Sequence, residues 1–255
     1  MYANLHANPM LKIPICLIIF IFMGCEGADN APPSLHKRLL KHHSLITEGK
    51  TGAARVRLRQ YMEKYGETSH PLFLMGLSFH SEKRYAKSVE WLTKSTIDPD
   101  NQYPLAWHFL GWSQFYLGDI ASAQFSFEQF LQKHPEEPDS MFALGLLALE
   151  RGELQEAEAL FLTVIKLAPK NKMISAKATA RLADVMVERD DWQHAIHGYK
   201  DALQQNPNLY EAWYRYATAL KRLGKMDEAE QALAHFEEAR KRVRPDLYQQ
   251  TRFPE

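Results

Sequence analysis

The chain has 255 residues, with 31 Lys and Arg residues against 31 Asp and Glu residues, so its formal net charge is zero. This balance gives no basic excess that would indicate a nucleic-acid ligand and no acidic excess typical of a disordered tail. The only cysteines are Cys16 and Cys25. The rest of the chain therefore has no internal disulfide, no cysteine metal cluster and no cysteine nucleophile.

The N-terminal segment has the pattern of an export signal. Lys12 precedes a run of 11 residues, Ile13–Met23, with the sequence IPICLIIFIFM. A membrane-spanning helix needs about 20 apolar residues, whereas the apolar part of a secretory signal has about 7–15. The run ends at Gly24 and Cys25. A small residue directly before a cysteine at this point resembles the lipobox of bacterial lipoproteins.

The lipobox resemblance implies a signal peptide over residues 1–24, cleavage before Cys25 and acylation of its thiol. Residues 25–33 would then form a short flexible tether. In this family an Asp after the cysteine tends to retain the protein in the inner membrane, so Glu26 implies the outer membrane, facing the periplasm. Translation starts at Met1 or at Met10. The alternatives are an uncleaved signal anchor and a plain secretory signal with a buried cysteine.

A fixed repeat period runs through the remainder of the chain. Gly111 recurs as Gly145, and Ala195 recurs as Ala229 at the same spacing. Glycine, alanine, an aromatic residue and proline in this order, at a period of about 34 residues, resemble the tetratricopeptide repeat. The recurring small residues would let paired helices approach closely, and they are Gly76, Gly111, Gly145, Ala123, Ala157, Ala195 and Ala229.

This resemblance implies an all-α, right-handed superhelical solenoid of six helix-turn-helix repeats. Residues 34–239 would form the array, and residues 240–255 would form a C-terminal capping helix or tail. The interval from Pro169 to Pro207 exceeds that from Pro135 to Pro169, which predicts an insertion of about four residues between the fourth and fifth repeats. The six predicted repeats are 34–67, 68–101, 104–137, 138–171, 176–209 and 210–239.

In tetratricopeptide-repeat proteins the first helix of each repeat supplies most of the concave wall. The residues in those positions are largely apolar in the second to fourth repeats, which predicts a groove for an extended segment or an amphipathic helix of another protein. In the alternative, the chain's own N-terminal segment or tight curvature fills this surface. The predicted groove residues are Phe73, Leu77, His108, Trp112, Phe115, Tyr116, Phe142 and Leu146.

Later repeats place Lys177, Asp184 and Glu188 in the same positions, so the groove is expected to change from apolar to polar. The clamp that binds chaperone C-termini needs Lys and Asn where Phe73 and Leu77 stand, which disfavours a cytosolic co-chaperone.

No catalytic motif emerges from the sequence. Gly49–Thr51 (GKT) lacks the remaining glycine of a phosphate loop, and His194 with His197 lacks the HExxH pattern of a zinc site, so a turn and a solvated face are favoured. We therefore predict a protein that is not an enzyme and that uses no cofactor and no metal. The basic residues after Arg240 are expected to cap the array, with contact to anionic lipid or peptidoglycan as the alternative.

These features together predict a non-enzymatic, lipid-anchored scaffold of the bacterial envelope that binds a protein partner and no nucleic acid. Length, anchor and repeat number resemble the pilotin class, which delivers type IV pilus secretin subunits to the outer membrane. One alternative is a scaffold or regulator of peptidoglycan hydrolases or proteases. Another is a metal- or ligand-binding protein that uses His70, His80 and His108.

Overall fold

Helices make up the regular secondary structure of residues 35–97 and 103–245, the part of the chain described by this computed structural model. Twelve helices and no strand lie in these two ranges. The helices are α1 (Leu35–Thr47), α2 (Thr51–Tyr65), α3 (Ser69–Ser81), α4 (Tyr85–Thr96), α5 (Leu105–Leu117), α6 (Ile120–Lys133), α7 (Pro138–Glu150), α8 (Leu154–Leu167), α9 (Lys172–Glu188), α10 (Trp192–Gln205), α11 (Tyr210–Arg222) and α12 (Met226–Val243).

The helices follow one another as six helix-turn-helix pairs, one for each predicted repeat. Within pairs, α3 packs on α4, α7 on α8, α9 on α10 and α11 on α12. Between pairs, α4 packs on α5 and α10 on α11, so these neighbouring repeats share one interior. The chain divides into two compact units between Phe130 and Leu131, called unit 1 and unit 2 below.

Large apolar side chains fill the interior of unit 1. Leu58, Met75, Leu92 and Phe130 come from four different helices and are almost completely buried in one cluster. Trp91 and Trp107 pack against the edge of this cluster and stay partly exposed.

Small side chains dominate the interior of unit 2 between α9 and α12. Leu203, Leu220 and Tyr199 are its largest buried members. Ile196 is buried with them, and the remaining buried positions carry a single methyl group, so the helix backbones can approach closely there. These positions are Ala180, Ala183, Ala195, Ala202, Ala212, Ala217, Ala219, Ala229 and Ala232.

Glycine allows a large side chain to pack directly on the first helix of a repeat. A Cβ atom on Gly76 would lie 2.5 Å from Cγ of Leu92, and one on Gly145 would lie 2.6 Å from Cε1 of Phe161. The fifth repeat reverses this arrangement, since Ala183 takes the glycine position and faces Gly198 on α10. The helices of this repeat therefore still approach closely, because the glycine lies on the second helix instead of the first.

The turn inside each repeat contains one residue with a left-handed backbone, which reverses the chain into the second helix. Glycine supplies it in four repeats, for example Gly118 with φ of +79°. Lys83 (φ +60°) and Asp190 (φ +59°) stand in the same position of the second and fifth repeats, where a side chain makes this backbone costly.

Two boundaries differ from those expected. The inserted residues form the first turn of α9, which has 17 residues, whereas α7 has 13, so they lengthen a helix instead of linking two repeats. At the C-terminus α12 continues to Val243, so the basic run begins in its last turn. Basic side chains there complement the partial negative charge of the helix end.

Candidate functional site

Four aromatic side chains of unit 1 form one partly exposed surface, called the aromatic surface below: Tyr85, Trp112, Phe115 and Tyr116. Three of them lie on α5 at i, i+3 and i+4, a spacing that places side chains on one face of a helix. The adjacent Gly111 faces Phe127 of α6 inside the repeat, and of the three rings on α5 Trp112 also contacts Phe127.

The rings of the aromatic surface are held in a fixed stack. The centroids of Tyr85 and Tyr116 are 4.7 Å apart, and those of Tyr116 and Trp112 are 5.9 Å apart, both in stacked geometry. Phe115 meets Trp112 edge to face at 5.6 Å, and Trp112 rests on Phe127 in the same way at 5.4 Å. Such ring pairs add specific attraction to burial, so the surface is ordered before any ligand arrives.

Three predicted groove residues of unit 1 are buried instead. Phe73 and Leu77 belong to the core of the unit, and the ring of Phe73 lies 4.6 Å from that of Tyr103. His108 is buried beside Phe130, with ring centroids 5.3 Å apart. A partner could reach these three side chains only if the packing changed.

His80, which the ligand-binding alternative used, lies in a buried chain of hydrogen bonds. Its Nδ1 is 2.9 Å from Oγ of Ser113, which donates to Oγ of Ser88 at 2.9 Å, and Ser88 donates to the carbonyl of Gly76. Burial, with a smaller contribution from His108, lowers the pKa of His80 from 6.5 to about 3. The imidazole is therefore neutral at ordinary pH, and its role is to pack and hydrogen-bond inside the core.

The predicted groove residues of unit 2 differ from each other in exposure. Phe142 is buried against Phe161, with centroids 5.7 Å apart, whereas Leu146 is half-buried. Both lie on α7, but neither has an aromatic neighbour comparable with the stack on α5 in what the structure describes of this unit.

A charged cluster occupies the first-helix positions of the fifth and sixth repeats. Asp184 accepts hydrogen bonds from Tyr199 Oη at 2.6 Å and from Arg181 Nη1 at 2.9 Å, and Arg215 Nη1 lies 3.1 Å from its Oδ2. Burial lowers the pKa of Lys177, while Asp139 and Glu211 act in the opposite direction.

The polar side chains around Asp184 hydrogen-bond to one another. Burial raises the pKa of Tyr199, and the neighbouring Asp184 raises it further, so the phenol stays protonated and donates to the carboxylate. Asp184 was expected to make the groove polar. The sequence also signals its partners, because Arg181 and Arg215 are one repeat period apart and therefore occupy the same repeat position.

Other predicted features are placed as follows. Cys25, the signal segment and the tether lie outside the described residues. His194 is exposed and its Nδ1 lies 2.7 Å from Asp191, with His197 one helical turn further along. Within residues 35–97 and 103–245, no group of three metal-ligating side chains comes together, and no helix is long and apolar enough to cross a bilayer.

Two protein families match the chain. The tetratricopeptide-repeat family matches residues 110–172, and the TT21 fifth ARM repeats domain matches residues 176–250. FlbA of Caulobacter vibrioides (strain ATCC 19089 / CIP 103742 / CB 15) is 30% identical over 163 residues, which cover 64% of this chain and 26% of FlbA. The chain spans only 11% and 26% of the lengths of the curated relatives that it matches.

Solved structures share the fold at low sequence identity. A chain of the APC/C hetero-tetramer Cut9–Hcn1 matches with a TM-score of 0.67 and 18% identity, over 92% of this chain and 43% of that chain. A tetratricopeptide repeat protein from Parabacteroides merdae ATCC 43184 matches with a TM-score of 0.64 and 14% identity, over 84% and 86% of the two chains. The all-α tetratricopeptide-repeat fold predicted from the sequence is confirmed, because residues 110–172 match that family and these solved structures share the fold; such a scaffold is suited to binding other proteins.

Proposed function

We propose that this protein is a non-enzymatic, membrane-anchored adaptor of the bacterial envelope, and that its aromatic surface binds an amphipathic helix of a partner protein. The observation that carries the proposal is the ordered stack of Tyr85, Tyr116 and Trp112, with Phe115 beside it. Partly exposed aromatic side chains in a fixed arrangement are the usual centres of binding energy in protein interfaces.

An amphipathic helix fits this surface better than an extended segment does. An extended segment that binds by strand addition needs backbone partners along its length, and the backbone groups of α5 are already used within that helix. A helix satisfies its own backbone and presents apolar side chains at i, i+3, i+4 and i+7. The face of Trp112, Phe115 and Tyr116 has the same periodicity, so side chains of two helices can interdigitate.

The polar groups of the fold support a binding role over a catalytic one. The pKa values of His80 and Tyr199 depart far from their ordinary values, and each side chain is buried and hydrogen-bonded inside the packing. A general acid or base must instead reach a substrate. The half-exposed rings of α5 offer mainly apolar area.

The membrane anchor in this proposal is the acylated Cys25 implied by the lipobox. An anchored adaptor holds its partner at the membrane and raises the local concentration of components that assemble there. Assembly of an envelope complex, such as a secretin of the type IV pilus, is the process that the sequence resemblance favours, with the outer membrane as the location.

The experiment is capture of the partner by three full-length proteins purified from their own envelope. They are the parent, the double variant Phe115→Ala with Tyr116→Ala, and the control Phe125→Ala, which removes a ring that is 53% exposed elsewhere in unit 1. The captured segment is then made as a peptide, and its affinity for each protein is measured by fluorescence anisotropy.

We expect the double variant to bind the peptide on the order of 100-fold more weakly, since interface aromatic residues contribute about 1–2 kcal/mol each. The control should bind as the parent does, and circular dichroism should show equal helix content in all three proteins. Equal affinity of the double variant, or a peptide that binds without becoming helical, would refute this function.

A further inference from the structure

The first helix pair carries a charge excess that the neutral total conceals. Residues 35–65 contain 8 Lys and Arg residues and only 2 Asp and Glu residues. Two of the cations have carboxylate partners, since Lys50 pairs with Glu48 and Arg55 lies 2.9 Å from Glu82. The other basic side chains that the structure describes in this pair face solvent, and they are Lys41, Arg57, Arg59 and Lys64.

Helix geometry places three of these cations on one side of the pair. Helix α3 packs against both α1 and α2, and Arg55 marks the side of α2 that faces it. At 100° per residue, Arg57 and Lys64 lie on the opposite side of α2. By the same projection Lys41 lies on the side of α1 opposite its buried residues Leu39 and Ile46. We call Lys41, Arg57 and Lys64 the basic end face.

The basic end face is free for contact in the described part of the chain. All three side chains are exposed, and none lies within ion-pair distance of a carboxylate among residues 35–97 and 103–245. Lys64 lies over the ring of Tyr65, 5.2 Å from its centroid, which leaves its charge outward.

Exposed apolar side chains flank these cations. Leu40 is 49% exposed, Val56 is 53% exposed and Tyr65 is 43% exposed, and each directly adjoins one of the three basic residues in sequence. Cations with adjacent aliphatic and aromatic groups match the headgroup region of a bilayer, where charge meets phosphate and apolar groups enter the acyl boundary. Phosphates of a nucleic acid or carboxylates of an acidic protein would offer less to Leu40 and Val56.

We propose that the basic end face binds the surface of an anionic phospholipid bilayer. The helix pair begins ten residues after Cys25, so the predicted acyl anchor and this face would act on the same membrane. A basic surface adds electrostatic attraction to anionic lipid beside such an anchor. The proposal goes beyond partner binding and does not use the aromatic surface.

The test measures binding to sedimenting vesicles of phosphatidylglycerol mixed with phosphatidylcholine, and to vesicles of phosphatidylcholine alone. Three full-length proteins carry Cys25→Ser, which removes the predicted acylation. One has no other change, one also has Lys41→Gln, Arg57→Gln and Lys64→Gln, and the control has Lys166→Gln, Lys170→Gln and Lys172→Gln. The control removes the same charge from exposed positions of unit 2. Segment Ile13–Met23 contributes equally to both vesicle types, so the anionic-to-neutral ratio is the readout.

We expect the end-face variant to lose this preference by a factor on the order of 100, because each basic residue near an anionic surface contributes about 1 kcal/mol. The control should stay within a factor of about 2, and salt should weaken the parent's preference. An unchanged ratio, or an equal loss in the control, would overturn the proposal. Binding to polyglutamate without a preference for anionic vesicles would also overturn it and assign the face to an acidic protein. Failure here leaves partner binding by α5 unaffected.

Discussion

The two units repeat one backbone plan with different chemistry. Unit 1 fills its interior with Leu, Met and Phe side chains and leaves a stack of aromatic rings at its surface. Unit 2 fills its interior between α9 and α12 mainly with alanine and has a charged cluster around Asp184. The described residues of unit 1 hold 12 basic and 7 acidic side chains, whereas those of unit 2 hold 17 and 18.

The comparison shows that different residues place the helices and set the chemistry of their surfaces. The small residues and turns that recur once per repeat determine where helices lie, and they are present in both units. The residues between them determine whether a surface is apolar, charged or closed, and they differ between the two units. One repeat pattern can therefore carry a partner-binding surface in unit 1 and an internally hydrogen-bonded charged cluster in unit 2.

The largest effect is expected from breaking the charged cluster of unit 2. Asp184→Ala removes the acceptor of Arg181, Arg215 and Tyr199 and should lower the free energy of unfolding by about 3 kcal/mol, because buried charges would lose their partner. Urea denaturation measures this loss. The matched control is Glu158→Ala, whose pair with Arg189 is more exposed and should cost under about 1 kcal/mol. Equal costs would show that the cluster contributes no more than a surface pair.

The free energy of unfolding should depend on pH because His80 is buried in the interior of unit 1. Its pKa is about 3 in the fold and 6.5 when unfolded, so only the unfolded chain takes up a proton between these values. Stability is therefore full above pH 6.5 and is lost as the pH falls, by about 2 kcal/mol at pH 5.

The measurement for His80 is the difference in unfolding free energy between pH 7 and pH 5. His80→Phe should reduce that difference by about 2 kcal/mol, because the variant has no imidazole at this position. If the His80 variant shows the parent's pH dependence, the conclusion that His80 is buried as a neutral imidazole is wrong.

A smaller loss is expected where glycine permits close packing in both units. Gly145→Ala would place Cβ against the buried ring of Phe161 and should destabilise by about 1–2 kcal/mol in thermal or urea unfolding. Gly52→Ala is the control, because nothing lies within 4 Å of its Cβ and alanine favours a helix. Destabilisation by the control alone would contradict the close packing of Gly145 against Phe161.

The smallest effect is a gain at the two turns that lack glycine. Lys83→Gly should stabilise the protein by about 1 kcal/mol, because glycine adopts a positive φ without steric cost. Asp190→Gly should gain less, since aspartate tolerates this conformation better than lysine. A loss of stability in both variants, measured as a lower midpoint of thermal unfolding, would show that the side chains matter more than the backbone strain.

The fold could be predicted from the sequence because its determinants recur. Gly111, Gly145 and their equivalents mark the helix pairs through period alone. Exposure could not be predicted in the same way, since Phe73 and His108 are covered by Tyr103 and Phe130, which lie at non-equivalent positions. The charge excess of the first helix pair was hidden because the total charge sums over both units.

Photo-crosslinking tests the central claim, partner binding by the aromatic surface, most directly. A benzophenone amino acid at position 116 should crosslink one partner segment at residues spaced three, four or seven apart, and the same group at position 125 should give no such product. Crosslinks of equal yield from both positions, or at alternating residues of the partner, would contradict the binding of a helix on α5.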